Sequence, residues 1–265
     1  MSRESRIVEL RDGWATIRVH QFGGGRPLVF LPGVGGLPAD DSFLELLGEH
    51  FRVHAVMLPG FEDSEVGEGL ETVLDFTLLV FDVVDALGLT RPVLAGHSFG
   101  GMIAAEMAAI APNEVEHLVL LSAMGLWNDA HPVPDLFATL PFELPDLMLH
   151  DAEIRGDLVS AGGDLNDPEF LTVFLVENAR RMGTVGKLLF PVPDRGLCDR
   201  LYRIAAQTLI VWGRSDRFMD LSYAQSFANA IRTARVELLE DAGHMLPYEQ
   251  PQRVVGLLRE FVSAG

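Results

Sequence analysis

Five short apolar runs constrain this chain more than any other feature. PLVFLPG (27–33), RVHAVMLPG (52–60), PVLAG (92–96), VEHLVLLSA (115–123) and QTLIVWG (207–213) carry almost no charge, and four of the five close on glycine. Runs of this length without polar alternation suit strands of a parallel sheet buried on both faces. Helical patterns lie between them. DSFLELLGEH, ETVLDFTLLVFDVVDALG and GMIAAEMAAIA follow the first three runs, and LSYAQSFANAIR precedes a last strand, ARVELLE (234–240). PQRVVGLLREFV closes the chain with a proline near its helical start. At the other end, RIVEL and WATIRVHQF alternate apolar and polar residues around Asp12-Gly13, which predicts an opening hairpin. The expected class is therefore α/β, a doubly wound and mostly parallel sheet.

The rhythm breaks once. Between 125 and 203 there is no core-strand pattern, only a Pro-, Asp- and Leu-rich stretch followed by the helical DPEFLTVFLVENARRMG. A segment of that length inside a compact domain is a structural unit and not a loop. The expected organisation is a core domain of 1–124 and 204–265, with a helical cap of 125–203 over the C-terminal edge of the sheet. Open α/β sheets bind ligands at that edge. Apolar residues of the segment (Leu136, Phe137, Leu140, Phe142, Leu147, Met148, Phe170 and Phe174) could line an acyl pocket or pack onto the sheet.

Composition removes several classes of partner. Lys+Arg total 20 against 38 Asp+Glu, a formal net charge of -18, so nucleic acid and anionic membrane surfaces would repel the chain. The single cysteine, Cys198, forbids an intrachain disulfide and fits a reducing compartment. MSRESRIVELRDGW contains no apolar signal core, and no apolar stretch is long enough to span a bilayer. The expectation is a soluble, cytoplasmic protein acting on a small molecule. No H-E-x-x-H, Cys pair or phosphate-cradling lysine loop occurs, so neither a metal nor a nucleotide cofactor is expected.

The chemistry is expected at three strand ends. GHSFG (96–100) matches G-x-S-x-G between an apolar strand and an Ala-rich helix, the context of a strained turn that exposes a nucleophile. A serine hydroxyl needs a neighbouring base. Of eight histidines, His244 in EDAGHMLPYE follows the last strand and so reaches the same sheet edge as Ser98. His97 is the elbow's variable residue and points away from Ser98; His54 and His117 lie inside strands as satisfied core or edge residues. The base in turn needs an acid, and Asp216 in GRSDRFMD stands just past QTLIVWG. Asp220 competes in the same loop, although it reads as the N-cap of the following helix. Two backbone N–H groups complete the set: Phe99, after the nucleophile, and Val34 in FLPGVGG, both placed to stabilise an oxyanion.

Five ordered stretches, PLVFLPGVGG, VMLPGFEDSE, LAGHSFGGMIAAEMA, LIVWGRSDRFMD and EDAGHMLPYEQP, resemble the α/β-hydrolase superfamily in its serine-nucleophile, capped branch of esterases and C–C bond hydrolases. The resemblance covers nearly the whole chain. It implies an ester hydrolase with Ser98, His244 and Asp216 as nucleophile, base and acid. Two departures stand out. Pro32-Gly33 replaces the family's usual His-Gly, and Glu62 replaces a glycine, putting a carboxylate near the entrance or beneath the loop. Hydrolases of aromatic ring-fission products typically carry Asn before the nucleophile and Trp after the histidine, where this chain has His97 and Met245. They also hold the substrate carboxylate with a cap arginine, a role for which this chain offers Arg180 or Arg181, unless both lie on a solvated helix face. C–C bond cleavage, acyl transfer and non-catalytic ligand binding on the same fold thus stand beside ester hydrolysis.

Overall fold

The computed structural model describes residues 3–38, 42–159, 167–190 and 194–264. The predicted hairpin is β1 (Glu4–Leu10) and β2 (Ala15–Phe22), joined through a turn in which Arg11, Asp12 and Gly13 all take positive φ. The core strands are β3 (Pro27–Leu31), β4 (Arg52–Val56), β6 (Val93–His97), β7 (His117–Leu121) and β8 (Gln207–Gly213). β9 (Ala234–Leu239) ends the sheet, and a two-residue strand, β5 (Glu65–Val66), pairs with β2. The order is β1-β2-β4-β3-β6-β7-β8-β9, antiparallel through β1, β2 and β4 and parallel from β4 onward.

The helices complete the pattern: α1 (Ser42–Gly48), α2 (Val73–Ala86), α3 (Phe99–Ile110), α7 (Leu221–Ala230) and α9 (Pro251–Ala264). From β3 the chain steps to β4 on one side, then returns past β3 to β6 on the other. That reversal opens a crevice at the C-terminal ends of β3 and β6, the position where sheets of this kind hold ligands. Register keeps the strand ends level, with Leu31 opposite Gly96 and Leu121 opposite Val211. Every residue of β6 and β7 is buried, which is why their sequences show no alternation.

Between β7 and β8 lie α4 (Leu144–Met148), α5 (Ala152–Arg155) and α6 (Pro168–Leu189). α6 starts on an Asp167 N-cap and runs past the predicted MG to Leu189. Gly186 within it leaves space for the Phe137 ring, which a Cβ would approach at 3.3 Å.

One core residue departs from expectation. His54 on β4 is buried, yet neither ring nitrogen has a partner. Burial, with the nearby charges of Arg6 and Arg52, pushes its pKa down to about 4. The native state therefore binds fewer protons than the unfolded chain between pH 6.5 and 4. This group's stability is complete above the unfolded value and is lost as pH falls through that window. Urea melts of His54→Leu should show a flatter loss of stability over this range than the parent; parallel curves would contradict the assignment.

Candidate active site

The strand–turn–helix at 93–110 is shaped by glycine. A Cβ on Gly96 would run into the Gly100 backbone, and one on Gly100 into the Leu31 and Pro32 carbonyls. A Cβ on Gly101 would lie 2.7 Å from that of Ala123. Only Gly at these places lets α3 start directly against β3 and β7. The chain pivots at Ser98, whose φ of 53° and ψ of -118° are sparsely populated for a side-chain-bearing residue. Such strain persists where the surrounding structure enforces it, and here the Ser98 N–H donates to the Leu121 carbonyl at 2.9 Å.

The structure brings Ser98, His244 and Asp216 into one hydrogen-bonded line. His244 Nε2 lies 2.8 Å from Ser98 Oγ, and His244 Nδ1 lies 2.9 Å from Asp216 Oδ2. All three are buried. An ionised carboxylate only accepts, so Nδ1 carries the proton and Nε2 is left to accept from the Ser98 hydroxyl. Asp216 is itself immobilised, because its other oxygen accepts from the N–H groups of Phe218 (3.0 Å) and Met219 (2.8 Å). Asp220 stands apart as the N-cap of α7, accepting from the Ser222 N–H at 2.8 Å.

His97 lines the same cavity as Ser98 and makes its hydrogen bond to the backbone of His244. Its Nε2 lies 2.8 Å from the His244 carbonyl oxygen, which can only accept, so Nε2 is protonated. Burial, then the neighbouring His244, pushes the His97 pKa down to about 3, keeping it neutral. His117 is only half satisfied: Nδ1 meets Arg26 at 3.1 Å, and Nε2 has no partner.

The loop after β3 folds over Ser98. Its turn closes with the Gly36 N–H donating to the Gly33 carbonyl at 2.9 Å. A Cβ on Gly33 would approach the Ser98 Cβ at 3.1 Å. Val34 and Ser98 thus share one cavity wall. Phe99 opens α3, so its N–H has no acceptor within the helix and lies at the positive end of the helix dipole.

That cavity measures about 300 Å³, and its lining brings Gly33–Pro38, Ser98 and His244 together with Leu136, Phe137, Met148 and Phe174. Leu140 and Phe142 instead face solvent. Met245 lines the cavity, and its N–H donates to the Met148 carbonyl at 3.1 Å. The two arginines separate. Arg180 points outward, more than half exposed and 3.9 Å from Glu65. Arg181 lines the cavity and donates from Nη1 to the Gly35 carbonyl at 2.7 Å, while its Nε is buried without a partner. Asn178 and Thr139 join it as polar wall residues that the sequence reading passed over. Asn178 was findable, since 174, 178 and 181 fall on one helical face.

Glu62 does not reach the cavity lining. It sits beside β2, 2.8 Å from His20 Nε2 and 3.4 Å from Arg3, in the positive-φ conformation (49°) that glycine usually supplies. Burial pushes its carboxyl up, but the His20 hydrogen bond and the charges of His20, Arg3 and Arg18 outweigh it, leaving Glu62 below its ordinary value. Among the described residues, no three His, Cys, Asp or Glu side chains gather to hold a metal, and no helix is long and apolar enough to cross a membrane.

This fold is that of the α/β hydrolases. Residues 28–257 match the model of the alpha/beta hydrolase family, and the chain belongs to it. It is 26% identical over 275 residues to 2-hydroxy-6-oxo-2,4-heptadienoate hydrolase of Pseudomonas putida, covering 95% of this chain and 94% of that protein. It is 24% identical over 253 residues to monoacylglycerol lipase abhd6-A of Xenopus laevis, covering 84% and 71%. The crystal structure of a bacterial membrane phospholipase A shares the fold with a TM-score of 0.80 at 23% identity, over 99% of this chain and 86% of that one.

Proposed function

We propose that this protein is a serine hydrolase that cleaves a small to medium carboxylic ester through an acyl-enzyme. The observation that carries the reading is the line Ser98–His244–Asp216, with Ser98 and His244 in the wall of a largely apolar cavity. Ser98 Oγ attacks the ester carbonyl while His244 Nε2 takes its proton, and Asp216 holds the imidazole in the tautomer this requires. The N–H groups of Val34 and Phe99 receive the developing oxyanion. His244 then protonates the departing alcohol, and a water activated by the same nitrogen releases the acid. Residues 125–203 act as the cap that excludes bulk water and selects the acyl group. Under this reading, p-nitrophenyl esters of increasing chain length give an initial burst of nitrophenol and a length optimum set by the cavity. Absence of turnover across the whole panel would count against it.

A second reading, hydrolysis of a C–C bond in a ring-fission keto acid, draws support from Arg181 in the cavity wall and from the Pseudomonas putida relative. Here the guanidinium holds the substrate carboxylate. Arg181→Met then raises KM for the keto acid about tenfold or more beyond any change for neutral esters, which share the loss of the Gly35 contact; tenfold is the loss expected for a hydrogen bond to a charged group. Equal changes for both substrates would remove the support.

A further inference from the structure

The turn that carries His244 is held by a carboxylate to which the mechanism above assigns no step. Glu249 ends α8 (Leu246–Glu249), a single helical turn directly after His244, and spends both oxygens on backbone. Oε2 accepts from the Gly243 N–H at 2.8 Å and Oε1 from the His150 N–H at 2.7 Å. Gly243 precedes the base, whereas His150 lies two residues beyond the cavity residue Met148. The two backbones touch. A Cβ at 243 would lie 2.7 Å from His150 N and Met148 O, so only glycine fits there.

We propose that Glu249 is a positioning residue for His244, clamping the Gly243–Met245 turn to residues 148–150 so that the base and the cavity wall take their places together. This rests on the reading of Ser98, His244 and Asp216 given above. Charge-assisted bonds donated by two N–H groups to a carboxylate are stronger than the neutral bonds that otherwise hold such a turn. The charged groups facing this corner are few. Burial pushes the Glu249 carboxyl up from its ordinary value and the Asp216 charge adds to the rise, while the His150 and Gly243 N–H groups and the His150 side chain oppose it. His150 also bonds Ser215 at 2.7 Å and stands 3.7 Å from Asp241. Arg155 donates to the Tyr248 carbonyl at 3.0 Å, and Arg217 to the Leu149 carbonyl at 3.1 Å.

The test compares Glu249→Gln and Glu249→Asp on a short p-nitrophenyl ester, with active sites counted by fluorophosphonate titration. Gln keeps the size but removes the charge and turns an NH2 toward one of the two donors. Asp keeps the charge but stands back by one carbon–carbon bond, about 1.5 Å. Both should lower kcat per titrated site by about tenfold or more, with KM changing less, because small misplacements of a base are costly. Only Gln should move the acid limb of kcat/KM to lower pH, since a negative charge near the imidazolium is gone. Values of kcat per titrated site within about twofold of the parent in both variants would overturn the proposal, whatever happens to Tm. If Gln does not fold, the Asp variant decides by the same criterion. Ser98→Ala runs alongside: parental activity there would sink the reading of the site itself and Glu249's role with it.

Discussion

Ser98→Ala should lower kcat by a factor on the order of a million and abolish labelling by a fluorophosphonate, with the fold intact. The size of the effect follows from the geometry. Among the described residues, Ser98 supplies the hydroxyl hydrogen-bonded to His244 Nε2, at 2.8 Å, so its removal leaves the imidazole with no nucleophile to activate. What remains is binding plus whatever the Val34 and Phe99 N–H groups contribute to attack by water. Because alanine tolerates the unusual φ of 53° no better than serine, stability should change little. Steady-state kinetics with an unchanged circular dichroism spectrum check both halves. Residual activity above about one hundredth of the parent would show that another group attacks.

Asp216→Asn should cost nearly as much, about 10⁴-fold in kcat, although only one atom changes. Asp216 serves two masters. Its Oδ1 holds the turn by accepting from Phe218 and Met219, while Oδ2 faces His244 Nδ1. Asparagine can keep the first set with its carbonyl oxygen and must then offer an N–H to the second. His244 would turn its unprotonated nitrogen toward the amide and present an N–H to Ser98, the wrong tautomer for a base. The turn should survive and Tm with it, so the loss should appear in kcat and not in folding. A variant within about tenfold of the parent would mean that the carboxylate only stabilises the loop.

Much of this was legible in the residues, for physical reasons that differ from place to place. β3, β6, β7 and β8 are buried on both faces, and burial of that kind writes itself as unbroken apolar runs. The G-x-S-x-G turn is legible because a Cβ at 96 or 100 meets backbone, which no side-chain adjustment relieves. Asp216 and His244 followed from strand ends alone, since parallel strands deliver their C-terminal loops to one edge. What escaped depends on contacts between distant segments. β5 is two residues long and α8 four, too short for any periodicity to register. The Glu249–His150 bond joins residues 99 positions apart through a backbone N–H, which carries no side-chain signature. Arg180 and Arg181 were indistinguishable as a pair; the phase of α6 decides which one meets the cavity. His54 inverts the ordinary expectation that a buried polar side chain finds a partner.

The central claim is that Ser98 is an activated nucleophile, and the most direct measurement is peptide mapping after brief exposure to a fluorophosphonate. The account predicts a single phosphonyl group per chain, carried by the peptide containing Ser98 and absent from His244→Ala under the same conditions. A folded protein that stays unlabelled, or carries its label on another residue, would contradict it.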